Sequence, residues 1–86
     1  MSALKPKLGL IGFGAFGRLT AKHLSPQFDI LAHDPAVSDG EGLARMTTLE
    51  EAAACPTVVL AVPVGVLVET VAAIAPHLAP GALILD

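Results

Sequence analysis

Apolar and polar positions alternate along this chain in two different periods. Lys7 to Ile11 (KLGLI) is a short, nearly continuous apolar run and predicts a first strand. Ala15 to Leu24 then carries Phe16, Leu19, Ala21, His23 and Leu24 at helical spacing, which predicts a helix with those residues on its inner side. Ser25-Pro26 stops it, because proline pushes the residue before it out of the helical region. Phe28 to His33 (FDILAH) is a second strand, closed by Asp34-Pro35. The stretch Ala36 to Arg45, with Asp39, Gly40 and Gly42, reads as a loop around at most one helical turn.

Arg45 to Thr47 reads as a short third strand. Thr48-Leu49-Glu50-Glu51 has the capping-box spacing and starts a short helix ending at Ala54. Thr57 to Val62 (TVVLAV) is fully apolar and β-branched, hence an interior strand. Val64 to Leu78 predicts a helix with Leu67, Val68, Val71, Ala75 and Leu78 facing inward, ended by His77 and Pro80-Gly81. Ala82 to Leu85 is a last strand. Strand and helix alternate throughout, which implies βαβ units with right-handed crossovers. The expected architecture is α/β: a Rossmann-type, doubly wound parallel sheet of about five strands in the order 3-2-1-4-5. No internal repeat and no low-complexity linker divides residues 1–86, so they read as one domain.

Composition sharpens this picture. Of 86 residues, 53% are hydrophobic and 15% charged, with a net charge of -3. The mean hydropathy of +0.70 is high for so short a chain, yet no apolar run reaches the roughly 18 residues of a membrane span. Strands covered by helices on both faces account for the excess. Where that cover is incomplete, apolar surface or a bare sheet edge is expected to drive self-association. The mild acidity and the absence of a Lys/Arg cluster argue against nucleic acid. MSALKPK has no apolar core behind it, so no secretory leader is expected. The single Cys55 permits no internal disulfide, and a cytoplasmic setting is expected. Cys55 precedes a proline at a strand entrance and reads as a small packed residue rather than a nucleophile.

The candidate chemistry lies in LGLIGFGAFGRL (Leu8 to Leu19), where Gly12, Gly14 and Gly17 fall between the first strand and the first helix. They match G-x-G-x-x-G in spacing and in context. The first glycine then makes the tight turn, the second admits a pyrophosphate, and the third packs helix on strand. The helix start offers unpaired amides and partial positive charge to the phosphates. The alternative is a plain strand–helix turn.

An acid is expected at the end of the second strand to accept the adenosine ribose hydroxyls. Asp34 follows ILAH, 17 residues after Gly17. It favours NAD over NADP, because a 2′-phosphate beside it is repelled by up to about 4 kcal/mol at an effective dielectric near 20. Asp34 also suits the start of its own turn, and the two roles are compatible. Asp29 opens its strand and is the wrong candidate. Arg18 and His33 soften the local field. Ala61-Val62-Pro63-Val64 follows an interior strand at the switch point, where its backbone is expected beside the ribose and nicotinamide half of the cofactor; the alternative is an ordinary proline in a first helical turn. His23 and His77 have no acid or nucleophile near them in sequence. No HExxH, CxxC or Walker pattern occurs, and no metal site is expected.

Together LGLIGFGAFGRLTAKHL, ILAHDP, VVLAVPV and PHLAPGALILD resemble the N-terminal cofactor domain of prephenate and arogenate dehydrogenases. The resemblance covers nearly the whole chain. Domains of 6-phosphogluconate or 3-hydroxyacid dehydrogenase type and of pyrroline-carboxylate reductase type are its close competitors. It implies NAD-linked oxidative decarboxylation of prephenate or arogenate on the route to tyrosine, in a dimeric enzyme. Carried over, Gly12, Phe13, Gly14, Ala15, Phe16 and Gly17 match the phosphate loop, Asp34 the ribose acid, and Ala61 to Val64 the loop beside the nicotinamide. In that family a serine-and-lysine segment, a catalytic histidine and a helical dimerising domain lie past the position of Asp86. The three histidines here all precede it, and none matches the catalytic one. The expectation is therefore a cofactor-binding domain that is incomplete at its C-terminal side and inactive alone. Two other readings are a non-catalytic nucleotide-sensing module and a ligand-free self-associating fragment.

Overall fold

The computed structural model describes residues 4–86. Five strands, β1 (Lys7–Ile11), β2 (Asp29–His33), β3 (Arg45–Met46), β4 (Thr57–Leu60) and β5 (Leu83–Leu85), form one sheet in the order β3-β2-β1-β4-β5. Every neighbouring pair is parallel. Three α-helices accompany them: α1 (Ala15–Leu24), α2 (Leu49–Ala53) and α3 (Leu67–Ile74).

Alternation along the strands assigns the faces. Leu8, Leu10, Ile30, Ala32 and Val59 point to one side, where they meet Ala21 and Leu24 of α1. Ile11, Val58 and Leu60 point to the other, where they meet Ala52 and Ala53 of α2 and Ile74 of α3. The sheet is thus covered on both faces, as expected of a doubly wound fold. No helix joins β2 to β3. The loop of residues 34–44 takes its place and packs Val37, Leu43 and Ala44 onto the α1 side.

The faces of two helices differ from expectation. In α1 the buried residues are Gly17 and Ala21, whereas Phe16 is 62% and Leu19 51% exposed. Small residues make the contact because the helix lies close to the sheet. The long helix expected over Val64–Leu78 is three pieces: a 3₁₀ turn at Val64–Val66, α3, and a second 3₁₀ turn at Ala75–His77 containing Pro76. Proline lacks the N–H that would continue the α ladder. Leu67, Ile74 and Leu78 pack inward, while Val68, Val71 and Ala75 face outward.

α2 begins as its spacing requires. The Thr48 hydroxyl accepts from the Glu51 N–H at 3.1 Å. The Glu51 carboxylate returns to the hydroxyls of Thr47 and Thr48 rather than to a backbone amide. Those hydroxyls, Thr47 first, hold its pKa below the ordinary glutamate value.

At the far edge, β5 has one neighbour, and Leu83, Ile84 and Leu85 are all exposed. Among the described residues no helix is long and apolar enough to cross a membrane.

Candidate functional site

β1 lies between β2 and β4, and its carboxyl end is tied to both. The Gly12 N–H donates to the His33 carbonyl at 2.8 Å, and the Ala61 N–H donates to the Ile11 carbonyl at 2.8 Å. Three segments converge there: the glycine turn, the end of β2, and the segment after β4.

Gly12 has φ +101°, in the region that side chains avoid, and a Cβ there would run into the Ala61 carbonyl. Gly17 lies in the first turn of α1, where a Cβ would run into the carbonyl oxygen of Gly12. These two glycines let the chain turn and let α1 start against the sheet. Gly14 is different: nothing lies within 4 Å of a Cβ built on it. It is the N-cap of α1, with no side-chain cap and no acid in the first turn. The first amides of a helix have no intrahelical acceptor. Bare, positively polarised backbone at Gly14, Ala15 and Phe16 therefore faces open space.

Asp34 is the second component. Its Oδ2 accepts from the Phe13 N–H at 2.8 Å, and its Oδ1 accepts from the Ala36 N–H at 2.8 Å. One carboxylate thus fastens the glycine turn to the end of β2 and opens its own turn. A carboxylate has about four acceptor positions, so each oxygen keeps capacity for a further donor. Phe13 contributes only its backbone here, since its side chain is fully buried in the core. This coupling between residues 13 and 34 has no signal in spacing alone, because an amide donor looks the same at every position.

The other expected residues fall around these two. Arg18 is half-exposed; its Nη1 donates to the Phe13 carbonyl at 3.4 Å, and its Nε stands 3.7 Å from Glu41 Oε2. His33 Nδ1 lies 3.0 Å from the Thr47 carbonyl. A carbonyl only accepts, which puts the proton on Nδ1. Ala61 packs against the α1-side core and Val62 against the opposite one. Pro63 is exposed, and Val64 is 87% exposed.

A cavity of about 600 Å³ joins Gly12, His33, Asp34, Val62 and Pro63 to Leu49 of α2 and to Val66, Glu69, Thr70 and Ala73 on and before α3. The α3 wall was not legible in the sequence, because two apolar residues, Val66 and Ala73, and two polar ones, Glu69 and Thr70, form no motif there. Phe13, Gly14, Ala15, Phe16, Gly17, Arg18, Ala61 and Val64 do not line this cavity, so of the glycine turn only Gly12 reaches it. A larger groove of about 760 Å³ opens at the amino ends of β1, β2 and β3, beside Lys7, Asp29 and Arg45. No α-helix starts there, so it lacks the exposed amides of the first site. Asp29 pairs with Lys7 at the strand starts, far in the sheet from the glycine turn.

Cys55 is buried, and burial pushes its thiol pKa up, as fits a packed residue. Among the described residues no group of His, Cys, Asp and Glu is placed to hold a metal ion.

A parallel 3-2-1-4-5 sheet wound on both faces, with a glycine turn entering the first helix at its switch point, is a Rossmann-type α/β fold. Solved structures bear this out. The apo-structure of D-lactate dehydrogenase from Escherichia coli is similar with a TM-score of 0.78 and 21% identity, over 94% of this chain and 28% of that one. The apo form of Rhodotorula graminis D-mandelate dehydrogenase is similar with a TM-score of 0.72 and 27% identity, over 94% of this chain and 26% of that one. The chain spans little more than a quarter of either dehydrogenase. No protein-family model matches the sequence, and no curated protein matches it.

Proposed function

We propose that residues 1–86 are a single dinucleotide-binding domain of an oxidoreductase and that NAD is its cofactor, with NADP disfavoured. The observation that carries this reading is Asp34, held by the Phe13 amide at the rim of a cavity that also reaches Gly12 and Val62, with acceptor capacity to spare. The amides of Gly14, Ala15 and Phe16 would receive the pyrophosphate, and Asp34 the hydroxyls of the adenosine ribose. Gly12 and Gly17 keep the turn and the helix in place, Arg18 and His33 flank the ribose, and the Ala61–Val64 segment lines the approach. The open space at Gly14 and the uncapped, acid-free start of α1 fit such a ligand. A bound nicotinamide dinucleotide supplies a hydride acceptor; the residues here bind and orient it. Because the chain spans little more than a quarter of the two dehydrogenases it resembles, turnover is assigned to a longer protein.

For the substrate of that protein, the combined GFGAFG, ILAHDP and AVPV motifs favour prephenate or arogenate and the route to tyrosine. A second reading draws on the two solved structures, named as dehydrogenases of D-lactate and D-mandelate, and points to a 2-hydroxy acid. Both readings need the same cofactor half. The same proposal includes a cytoplasmic setting and self-association through the exposed β5 edge.

An amide-resolved NMR titration with NAD tests the site. Saturable shifts centred on Gly14, Asp34 and Val62 are expected. Shifts confined to the groove at Lys7 and Arg45 would sink the assignment.

A further inference from the structure

Two unusual features meet at Glu41. It is the one non-glycine residue with positive φ among those described, at 56°. It also makes the one ion pair among them, with Arg18. An L-residue in the left-handed region costs of order 1 kcal/mol, and here its amide is held by Asp39 Oδ1 at 2.8 Å. The loop of residues 34–44 is thereby turned so that the Glu41 carboxylate reaches back to the start of α1.

The position of Arg18 gives that contact meaning. Asp34 takes the N–H of Phe13, and Arg18 takes the carbonyl of the same residue. Arg18 and Asp34 therefore stand at opposite ends of one residue. Of the five Lys and Arg in the chain, Lys5, Lys7 and Arg45 stand at the amino ends of strands, and Lys22 lies in the last turn of α1. Arg18 alone stands at the carboxyl end of the sheet, where a dinucleotide would lie. A guanidinium is the natural partner of a phosphate monoester. Left free at the far end of Phe13 from Asp34, it would be available to offset the repulsion between that acid and a 2′-phosphate.

We propose that Glu41 is a specificity-determining residue: it engages the Arg18 guanidinium and withholds it from a 2′-phosphate, so that Asp34 acts unopposed. This rests on the dinucleotide reading above. Asp34 supplies the repulsion, and Glu41 prevents its neutralisation. The pair is half-exposed on both sides, so its effect is modest, in the range of exposed ion pairs.

The test is calorimetric titration of NAD and NADP into the wild-type chain, Glu41→Gln, Arg18→Gln and the double variant, each checked for native circular dichroism. Glu41→Gln is expected to raise the NADP-to-NAD affinity ratio about three- to fivefold. In the Arg18→Gln background the same change is expected to leave the ratio alone. A rise below about 1.5-fold overturns the proposal. So does an equal rise in both backgrounds, which would mean that Glu41 merely repels the phosphate. If Glu41→Gln fails to fold, Glu41→Gly tolerates the same φ and removes the same charge. Wild-type protein that binds neither nucleotide refutes the dinucleotide reading itself; wild-type binding without the Glu41 effect refutes only this inference.

Discussion

Replacing Gly17 with alanine opposes two effects of different sign. In an exposed helix interior, Gly→Ala stabilises by about 0.8–1.0 kcal/mol, because glycine gives up more backbone entropy on folding. At Gly17 the added methyl would run into the carbonyl oxygen of Gly12. That oxygen belongs to a turn tied to the His33 carbonyl through the Gly12 amide and closed in by Ala61, so it cannot swing aside. The helix must lift off the sheet instead, disturbing the contacts of Ala21 and Leu24 with Leu10 and Ile30. Overpacking of this kind costs about 1–3 kcal/mol, and contact with backbone belongs at the upper end. The net expectation is a loss of about 1–2 kcal/mol, or a fall of roughly 5–15 °C in Tm for a domain of this size. Urea and thermal unfolding followed by circular dichroism measure it. Gly65→Ala is the control: nothing lies within 4 Å of a Cβ there, and no loss is expected. Gly17→Ala as stable as wild type, or more so, would refute close approach of α1 to the glycine turn.

Asp34→Ala removes the acceptor of the Phe13 amide, and a charge-assisted bond of this kind contributes about 1.5–3 kcal/mol. It should lower the urea midpoint and weaken NAD binding together, as denaturation and titration of the same sample would show. Glu51→Gln should lose its effect in acid. The folded-state pKa of Glu51 is depressed, so its contribution is present above the ordinary glutamate value of about 4.3 and fades as pH falls through the lower folded value. Wild type and variant should therefore differ in stability at neutral pH and converge in strong acid. Ile84→Lys places a charge on the exposed β5 edge and should reduce concentration-dependent association in sedimentation velocity.

Sheet order and the doubly wound arrangement were legible because they depend on the alternation of apolar runs, and that alternation survives errors at element ends. Lys7–Ile11 is bounded as its run predicts, and Asp29–His33, Arg45–Met46, Thr57–Leu60 and Leu83–Leu85 are shorter by one or two residues. Helix faces were less legible. Val64 to Leu78 is apolar nearly all round, so periodicity does not choose among Val68, Val71 and Ile74; the three-part geometry around Pro76 does. In α1 the large residues Phe16 and Leu19 suggest a buried face, but close approach to the sheet selects Gly17 and Ala21. At the site, the glycine spacing and the acid after β2 were readable. The Phe13–Asp34 bond and the Glu41–Arg18 pair were not, since both depend on how a loop without periodicity folds back.

The glycine turn and Asp34 are proposed to form one dinucleotide site. The most direct measurement is calorimetric titration of the purified chain with NAD and NADP, with Asp34→Ser run beside it. Saturable NAD binding is expected, with weaker NADP binding and a preference that narrows in Asp34→Ser. Binding of neither nucleotide by natively folded protein would contradict it, and tight NADP binding unaffected by Asp34→Ser would remove Asp34 from the ribose.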